Sequence, residues 1–451
     1  MSKKTGTKET ISVFGAGWVG LVTAACFADL GFRVIVRDVI PERIAELEEG
    51  IVPFYEPGLT EMLARNRERM HFTLDVAEAV AEADVLFVCV GTPPTYSGDA
   101  DLSAVWAVID ELPPLEGRAI LVMKSTVPVG TGKKVRAALD ERGLDHIGYV
   151  SNPEFLAEGT ALDDFMHPDR VVVGAFFESD GERVSALYKQ IDAPIVRTDV
   201  FSAEMIKLAS NAFLATRISF INEIANVCEV TGADVEQVAK GMGLDRRIGP
   251  HFLRAGIGFG GSCFPKDVSA LKQLAGNSGY HFQLLSAVID VNELQKRRVV
   301  GKLTQHLGSL ADKTIAILGL TFKPDTDDMR EAASIVLGSR LLAEGANVQA
   351  WDPMADPDSY LHGARFCESI LEAVEGADAA VIVTEWNELR GLASKDVREA
   401  MRRPLIIDGR NLLDPDEVRA AGFAYECVGR PSEQHAGSAG GSAVNSERNP
   451  S

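Results

Sequence analysis

Short runs of apolar residues alternate along the first part of this chain with stretches whose apolar positions recur at helical spacing. The runs lie at 9–14, 33–38, 85–90, 119–123, 147–150, 170–174 and 194–197. Those at 85–90 and 119–123 are fully apolar, as expected of strands in a parallel sheet that helices cover on both faces. The alternation predicts a doubly wound α/β domain that ends near residue 200.

A long helical pattern follows from Phe201 to about Thr231, without proline or glycine. A helix of about 30 residues spans ~45 Å. Its apolar positions cover so much of the circumference that we expect it to be buried on most sides. Lys207 and Asn211 lie one turn apart, so both can face a single cleft. From the residues alone, a surface lysine beside a mid-helix asparagine is an equal alternative.

Further helices are predicted up to residue 300, after which the strand pattern returns. Runs at 314–324, 348–352, 379–384 and 405–410 indicate a second Rossmann-type domain, which has Gly319 but no glycine-rich fingerprint. The predicted fold class is therefore α/β, with two Rossmann-type doubly wound domains joined by a long central helix and a helical middle domain. The predicted domains are 1–200, 201–300 and 301–430, and the Ser-, Gly- and Ala-rich residues 431–451 are predicted to be a disordered tail.

The formal net charge of -20 narrows the range of partners. Nucleic acids and anionic membranes are bound mainly through lysine and arginine, so this acidic chain is not expected to bind either. A small phosphate-bearing ligand stays possible, because helix N-termini and a few local arginines suffice to hold it.

Cysteine spacing and hydropathy exclude several other classes. The six cysteines include no CxxC pair, so neither a disulfide framework nor a zinc site is indicated, and no metal is expected. The polar N-terminus lacks the apolar core of a signal peptide. No apolar run approaches the ~18 residues of a membrane-spanning helix. We therefore expect the protein in the reducing cytoplasm.

The first predicted strand runs directly into Gly15, Gly17 and Gly20. This spacing between a strand and a helix is typical of a dinucleotide-binding turn, where the pyrophosphate lies on the helix N-terminus. Asp38 closes the next strand and is placed to bind the adenosine ribose hydroxyls. A carboxylate there repels a 2′-phosphate, so NAD is favoured over NADP, although the neighbouring Arg37 weighs slightly the other way.

Ligands of open α/β sheets bind beyond the carboxyl ends of the strands. Thr92 follows one fully apolar strand, and Ser125 and Thr126 follow the other, so these are candidate contacts for cofactor and substrate. Glu154 and Glu158 follow a further strand, and their spacing predicts one face of a starting helix. Two solvated acids are the alternative interpretation, which the strand-end position disfavours.

The stretch from Gly256 to Asp267 combines four glycines with Cys263, and a helical pattern begins at about Asp267. Glycines let the backbone approach a ligand closely, and the positive end of a helix favours a thiolate over a thiol. In a helical turn, Lys266 and Asp267 can face the same site as Cys263. A buried structural cysteine beside a tight turn is the alternative, which the glycines and the Lys-Asp pair disfavour.

From about residue 10 to 430 the chain resembles the UDP-glucose 6-dehydrogenase family, within the wider nucleotide-sugar dehydrogenases that include GDP-mannose and UDP-N-acetylmannosamine dehydrogenases. The most specific match is the string GFGGSCFPKD, from Gly258 to Asp267. Supporting matches lie at 125–130, 152–160, 207–211, 319–323 and 408–410. The resemblance implies a four-electron oxidation of the sugar C6 alcohol to a carboxylate, using two NAD⁺ and one water.

The resemblance also implies residue roles. Cys263 would capture the aldehyde as a thiohemiacetal and then a thioester, which water hydrolyses. Lys207 and Asn211 would stabilise the alkoxide that develops at C6. Asp267 and Glu154 are both candidates for the general base of the hydrolysis, and the sequence does not decide between them.

Cofactor, substrate and partner residues follow from the same resemblance. The implied NAD site comprises Gly15, Gly17, Val19, Gly20, Asp38, Thr92, Ser125, Thr126, Glu158, Lys266 and Arg330. The implied UDP-sugar site comprises Glu154, Phe155, Leu156, Lys207, Asn211, Arg247, Phe252, Phe259, Gly260, Phe322, Lys323 and Arg410. Thr126 would also help to hold the hydrolytic water, and a homo-oligomer of at least two chains is expected, with the central helix as the dimer core.

Three alternative functions stay open. A dehydrogenase of GDP-mannose or of a UDP-N-acetylhexosamine would differ in only a few pocket side chains. A catalytically silent nucleotide-sugar-binding protein would share the fold, but it would have no use for Cys263, Lys207 and Asp267 together. A two-electron 3-hydroxyacid dehydrogenase also has an NAD domain followed by a long helix, and it would not need Cys263.

Overall fold

The computed structural model of the chain describes residues 8–115, 117–355 and 360–431. The predicted tail at 431–451 lies outside the described residues, apart from residue 431. The chain divides into two compact units, Met1–Ala212 with Lys266–Phe282, and Phe213–Pro265 with Gln283–Ser451.

A mainly parallel sheet of eight strands forms the centre of the first unit. Its strands are β1 (Thr10–Phe14), β2 (Arg33–Arg37), β3 (Met70–Thr73), β4 (Val85–Val88), β5 (Ile120–Met123), β6 (Gly148–Ser151), β7 (Val171–Ala175) and β8 (Ile195–Thr198). The strand order is β3-β2-β1-β4-β5-β6-β7-β8, and only the β6–β7 pair is antiparallel. The reversal of strand order beside β1 confirms the predicted doubly wound topology.

Helices cover both faces of this sheet. They are α1 (Trp18–Asp29), α2 (Pro41–Glu49), α3 (Leu59–Arg65), α4 (Val76–Val80), α5 (Ser103–Glu111), α6 (Thr131–Glu141), α7 (Ala161–Met166) and α8 (Glu178–Leu187). α1 is buried from Gly20 to Ala28, because it packs between the sheet and other helices. Phe27 at its centre contacts the rings of Phe32, Phe87, Phe165 and Tyr188.

Long helices form the middle of the chain, as predicted. They are α9 (Val200–Thr231), α10 (Val235–Gly243), α11 (Phe264–Asn277) and α12 (Gln283–Leu307). Phe213, Phe220 and Val227 on α9 are 61%, 48% and 57% exposed. The expectation that this helix is buried on most sides is therefore not met within a single chain. No helix in the described part of the chain combines the length and the apolar character that crossing a bilayer requires.

A fully parallel sheet of six strands forms the core of the second unit. Its elements are β9 (Thr314–Leu318), α13 (Ala333–Ala343), β10 (Asn347–Trp351), β11 (Arg365–Phe366), α14 (Ile370–Val374), β12 (Ala379–Ile382), α15 (Lys395–Ala400), β13 (Leu405–Asp408), α16 (Pro415–Ala420) and β14 (Ala424–Cys427). The order β11-β10-β9-β12-β13-β14 repeats the first six positions of the other sheet. The predicted second doubly wound domain is thereby confirmed.

One local prediction is wrong. Glu154 and Glu158 do not begin a helix, because residues 152–157 have no regular secondary structure, 158–160 form a turn and α7 starts only at Ala161. Pro153 disfavours helical backbone at Asn152 before it. In addition, Glu154 Oε2 accepts a hydrogen bond from the Leu156 backbone N–H at 2.7 Å, and such local bonds compete with helix formation.

Candidate active site

The turn between β1 and α1 needs its glycines for different reasons. Gly15 has φ of +101°, and a Cβ there would lie 2.8 Å from the Cys89 carbonyl oxygen. A Cβ on Gly20 would lie 1.8 Å from the Gly15 carbonyl oxygen, so only glycine lets α1 pack against the turn. A Cβ on Gly17 would meet nothing within 4 Å. The backbone at Gly17 is therefore open to a ligand at the N-terminus of α1.

A cavity of about 290 Å³ opens beside this turn and is lined by Gly15, Gly17, Asp38, Arg43 and Gly91, among others. Asp38 accepts hydrogen bonds from the Ala16 N–H at 2.6 Å and from Arg43 at 3.2 Å. These bonds hold its carboxylate at the mouth of the sheet, where a dinucleotide ribose would lie. The residues present therefore fit NAD.

Arg37, whose position beside Asp38 slightly favoured NADP, has two partners in the structure. Its guanidinium forms an ion pair with Glu111 at 2.8 Å and donates to the Leu74 carbonyl oxygen at 3.3 Å. Its side chain is only 10% exposed. Arg37 also lines the cavity beside the glycine turn, so these contacts fix its guanidinium but do not remove it from the cofactor site.

The loops after β4 and β5 are tied together. Thr92 Oγ1 donates a hydrogen bond to the Thr126 carbonyl oxygen at 2.8 Å. Ser125 Oγ donates to the Val90 carbonyl oxygen at 2.7 Å. The predicted residues Thr92, Ser125 and Thr126 therefore lie together at the carboxyl ends of two neighbouring strands.

Glu154 and Lys207 form a buried ion pair. Lys207 Nζ donates to Glu154 Oε1 at 2.7 Å, and the two side chains are 4% and 6% exposed, respectively. Burial raises the pKa of Glu154, but the Lys207 ammonium and the hydrogen bonds from Lys207 and Leu156 outweigh it, so the net pKa lies below the ordinary value. Glu154 is therefore a carboxylate at neutral pH.

Asn211 and Asp267 form a second buried pair. Asn211 Nδ2 donates to Asp267 Oδ2 at 2.6 Å. Lys266 Nζ donates to the other oxygen, Oδ1, at 2.5 Å. The structure thus brings one turn of α9 and the first turn of α11 together.

Lys124 is a buried lysine near the Glu154–Lys207 pair that the sequence reasoning missed. Lys124 Nζ donates to Asn152 Oδ1 and to the Tyr188 hydroxyl oxygen, both at 3.1 Å. Burial lowers the pKa of Lys124 to about 8, although nearby groups that include Glu154 oppose this. These bonds fix the start of the loop that carries Glu154. Its only sequence signal was a charged residue at the end of a fully apolar strand.

Phe155, the next residue of that loop, is held between cations. The guanidinium of Arg170 lies 3.5 Å from the ring centroid, and Lys207 Nζ lies 5.5 Å from it. Cation–π contacts of this kind contribute ~0.5–2 kcal/mol. Arg170 is a second residue that sequence reasoning missed, since nothing in its spacing connects it to Phe155.

In the second unit, three buried amide side chains hold the loop from Gly256 to Cys263, which we call the cysteine loop. Asn292 binds both backbone groups of Phe259, accepting from its N–H at 2.8 Å and donating to its carbonyl oxygen at 3.0 Å. Gly256 donates its N–H to Asn222 Oδ1 at 2.8 Å and accepts from Gln295 Nε2 at 2.9 Å. All three amide side chains are buried. Their signal in the sequence was a polar amide within an apolar helical stretch.

The loop also packs closely against the segment after β9. A Cβ on Gly260 would lie 2.3 Å from the Glu331 carbonyl oxygen. The Gly261 N–H donates to the Arg330 carbonyl oxygen at 2.9 Å, and the Arg330 guanidinium pairs with Asp328 at 2.8 Å. The structure thus brings Gly260 and Arg330, predicted for substrate and cofactor, into one neighbourhood.

Arg410 connects the cysteine loop with the segments that follow β9 and β12. It donates to the carbonyl oxygens of Val383 at 2.7 Å, Gly258 at 3.0 Å and Phe322 at 3.4 Å. Its Nε also lies 3.3 Å from Glu385 Oε2, and burial lowers its pKa. Arg410 therefore fixes the backbone on both sides of the predicted sugar site.

The other predicted substrate residues of this unit are more exposed. Arg247 pairs with Asp245 at 2.6 Å and its side chain is 83% exposed. Phe252 has φ of +60° and contacts the Phe264 ring edge to face at 6.2 Å. Lys323 Nζ lies 5.8 Å from the centroid of the adjacent Phe322 ring.

Cys263 immediately precedes Phe264, the first residue of α11. Its Sγ lies 3.7 Å from Ser262 Oγ, and its side chain is partly exposed. The other five cysteines are buried. The alternative of a buried structural cysteine is therefore wrong for Cys263, and its position at a helix N-terminus is as predicted.

Comparisons with known proteins match this arrangement across the chain. Three models of the UDP-glucose/GDP-mannose dehydrogenase family match: the NAD binding domain at residues 9–192, the central domain at 201–294 and the UDP binding domain at 316–415. UDP-glucose 6-dehydrogenase TuaD of Bacillus subtilis is 45% identical over 432 residues, which cover 94% of each chain. The UDP-glucose 6-dehydrogenase of Pseudomonas aeruginosa is also 45% identical, over 94% of this chain and 98% of the relative.

Solved structures show the same similarity. A UDP-glucose dehydrogenase from the hyperthermophilic archaeon Pyrobaculum islandicum has a TM-score of 0.87 and 38% identity, covering 94% of this chain and 98% of its own. A UDP-D-ManNAc dehydrogenase from Pyrococcus horikoshii has a TM-score of 0.83 and 28% identity, covering 93% and 99%.

Proposed function

The chain belongs to the UDP-glucose/GDP-mannose dehydrogenase family, and from this premise we propose that it oxidises the C6 alcohol of UDP-glucose to a carboxylate with NAD⁺. The observation that carries the proposal is the partly exposed Cys263 at the start of α11, in a chain whose relatives at 45% identity are UDP-glucose 6-dehydrogenases. A simple two-electron dehydrogenase has no use for such a thiol.

The reaction proceeds through covalent capture on Cys263. When bound, NAD⁺ accepts the hydride in each of the two oxidations. The Cys263 thiolate adds to C6 of the aldehyde that the first oxidation produces, and the new C–S bond keeps the aldehyde from escaping. The second oxidation converts this thiohemiacetal to a thioester. Water then attacks the thioester carbon, the C–S bond breaks towards sulfur, and the carboxylate and the free thiolate remain.

Lys207 and Asn211 stabilise the charge that develops on the C6 oxygen. Both are buried donors on one face of α9, and a donor acts most strongly where water is excluded. Removing one such donor typically costs about 3 kcal/mol in the barrier. Their present partners, Glu154 and Asp267, hold them in place until the sugar oxygen competes for their protons.

Glu154 and Asp267 are the two candidates for the base that takes a proton from the attacking water. The low pKa of Glu154 keeps it ionised at neutral pH. Asp267 is 1% exposed and already receives hydrogen bonds from Asn211 and Lys266. Glu154 likewise receives hydrogen bonds from Lys207 and from the Leu156 N–H. The contacts therefore do not separate the two carboxylates, and both stay candidates for the base, with Thr126 helping to hold the water.

The substrate's nucleotide is assigned to the second unit. The region that matches the UDP binding domain includes Phe322, Lys323 and Arg410. Because the hydrogen bonds of Arg410 go to backbone carbonyls, we assign it the shaping of this site.

We also infer that the protein forms a dimer through α9. Phe213, Phe220 and Val227 recur every seven residues and are each about half exposed or more. An apolar stripe at this spacing is suited to packing against a second helix.

The test of the substrate is a comparison of initial NADH formation with UDP-glucose, UDP-N-acetylglucosamine, UDP-N-acetylmannosamine and GDP-mannose. We expect kcat/KM for UDP-glucose to exceed the others by at least ~100-fold, since a mismatched polar group in a hydrogen-bonding pocket is strongly rejected. A preference for another nucleotide sugar would replace UDP-glucose as the substrate. Tight binding of UDP-sugars without any NADH would support the silent binding protein instead.

A further inference from the structure

Glu56 is a buried carboxylate that the proposed chemistry does not use. It is 5% exposed and lies in the segment before α3. Its Oε2 accepts hydrogen bonds from Trp18 Nε1 at 2.9 Å and from the Gly159 N–H at 2.8 Å. Its Oε1 accepts from the Ala161 N–H at 2.9 Å. Both oxygens of one side chain are thus occupied by donors from separate segments of the same unit.

The donors belong to two different parts of the proposed site. Trp18 is the first residue of α1 and follows Gly17, so it is part of the turn whose backbone is open to a dinucleotide. Gly159 ends the segment that carries Glu154, and Ala161 is the first residue of α7. Glu56 therefore connects the cofactor turn with the far end of the loop that carries Glu154.

The near end of that loop is held separately. Asn152 accepts from Lys124 and from Tyr188, and its Nδ2 donates to the Val172 carbonyl oxygen at 2.7 Å. The hydrogen bonds from Gly159 and Ala161 to Glu56 thus fix the loop a second time, at its end nearer to α7. A buried N–H that loses its acceptor is destabilised, because no water replaces the lost hydrogen bond. The cofactor turn and this end of the loop are therefore expected to move together.

We propose that Glu56 is a positioning residue that couples the cofactor-binding turn, through Trp18, to the loop that carries Glu154. The proposal rests on the proposed function, because it takes the turn to hold NAD⁺ and the loop to act on the sugar. Glu56 itself touches neither ligand. It sets where Glu154 lies when the turn is occupied.

The test is a double-mutant cycle of Trp18→Phe and Glu56→Gln. Phenylalanine keeps the ring but removes the Nε1–H, and glutamine keeps the shape but turns one acceptor into a donor that faces an N–H. We expect Trp18→Phe to lower kcat at saturating NAD⁺ and sugar by roughly 10-fold, as expected for loss of one buried bond, and Glu56→Gln by at least as much. In the Glu56→Gln background, Trp18→Phe should have no further effect.

Two matched controls show whether the same chemical changes lower kcat when they are made away from the contacts of Glu56. Glu61→Gln makes the same change at an exposed position on α3, and Trp106→Phe makes the same change on α5. Both should leave kcat within about two-fold, since substitutions away from such contacts usually have small effects. If Glu56→Gln does not fold, Trp18→Phe is tested by comparing its kcat with its NAD⁺ dissociation constant, because it leaves both backbone bonds of Glu56 in place. A lower kcat with an unchanged NAD⁺ dissociation constant supports the coupling, and a loss confined to NAD⁺ binding contradicts it.

The outcomes distinguish this proposal from the proposed function. Multiplicative effects of the two substitutions would overturn the coupling, because an indole that acts directly on the cofactor keeps its effect without Glu56. Normal kcat in Glu56→Gln would also overturn it, and the oxidation of UDP-glucose would stand. If the wild-type protein does not oxidise UDP-glucose, the same cycle is measured on the NAD⁺ dissociation constant by calorimetry. Non-additive effects there support the link, and additive effects contradict it.

Discussion

At the scale of single residues, the candidate site consists of polar groups that are buried with a dedicated partner. Lys207 is held by Glu154 and Asn211 by Asp267, at 2.7 and 2.6 Å. A buried charge without a partner costs several kcal/mol. The pairs therefore account both for the stability of these side chains inside the protein and for their orientation towards one side of α9.

Lys207→Met tests the first pair through its pH dependence. In the wild type, the pKa of Glu154 is lowered, so the pair contributes stability above the ordinary pKa of a glutamate and loses it as the pH falls. Without Lys207, burial raises the pKa of Glu154, so the variant becomes relatively more stable as the pH falls and Glu154 is protonated. We expect a loss of about 3 kcal/mol near pH 8 and a smaller loss near pH 5.

Thermal unfolding of Lys207→Met at the two pH values is the measurement, and the double variant Lys207→Met with Glu154→Gln is its control. The double variant should recover most of the lost Tm at pH 8, because no unpaired carboxylate remains. An equal Tm loss at both pH values would contradict the assignment of Glu154 as the buried carboxylate partner.

Cys263 should react first with thiol reagents. Burial raises the pKa of the Cys89 and Cys427 thiols to about 12, and Cys26, Cys228 and Cys367 are buried as well. With one equivalent of iodoacetamide per native chain, mass spectrometry should find the label on Cys263, with activity lost in parallel. A buried cysteine that is labelled before Cys263, or full activity after labelling of Cys263, would contradict its catalytic role.

At the scale of elements, most strands and the long helices follow from hydropathy, whereas the short strands β3, β11 and β14 and the loops do not. The ends of β4 and β5 could be placed from their apolar runs, and Thr92, Ser125 and Thr126 with them. The loop with Glu154 could not, because its shape depends on Lys124 and Tyr188, which are distant in the sequence. The same holds for the cysteine loop, whose amide partners lie on α9 and α12.

The exposed stripe of α9 carries the prediction at this scale. Phe220→Asp places a charge at the centre of the stripe formed with Phe213 and Val227. We expect light scattering after size-exclusion chromatography to show a mass of two chains or more for the wild type and a smaller assembly for the variant. Phe177→Asp changes a phenylalanine of the first unit that is 62% exposed, more than Phe220; it is the control and should leave the mass unchanged. An unchanged mass in Phe220→Asp would contradict the assignment of α9 as the interface.

At the scale of the whole molecule, one architecture occurs twice with different chemistry. Both sheets share the order 3-2-1-4-5-6 over six strands. In both, the first strand is followed by a glycine with positive φ, Gly15 or Gly319. Asp38 and Asp352 follow the second strands. In the second unit, Asp352 Oδ2 accepts from the Leu320 N–H at 2.6 Å and from Trp386 Nε1 at 2.9 Å. Asp38 accepts from the Ala16 N–H in the same way, so the two openings differ mainly in the GxGxxG fingerprint, which the second unit lacks.

This repetition could be predicted from the sequence, because strand hydropathy and a single glycine reveal a Rossmann-type opening. The sequence predicted NAD in the first domain and residues of the UDP-sugar site in the second, but not how the side chains of each site are placed. The placement of Cys263, of the buried pairs and of Arg410 depends on side-chain contacts between residues more than 30 positions apart, which local patterns do not encode.

The central claim is that one chain carries out both oxidations, with Cys263 as the covalent catalyst. The most direct measurement is the amount of NADH formed per UDP-glucose consumed, at limiting sugar and excess NAD⁺, for the wild type and for Cys263→Ser. We predict a ratio near two for the wild type and a severe loss of steady-state turnover in the variant, since two hydrides leave C6 for each carboxylate formed. A ratio near one, or full turnover in Cys263→Ser, would contradict the thioester mechanism.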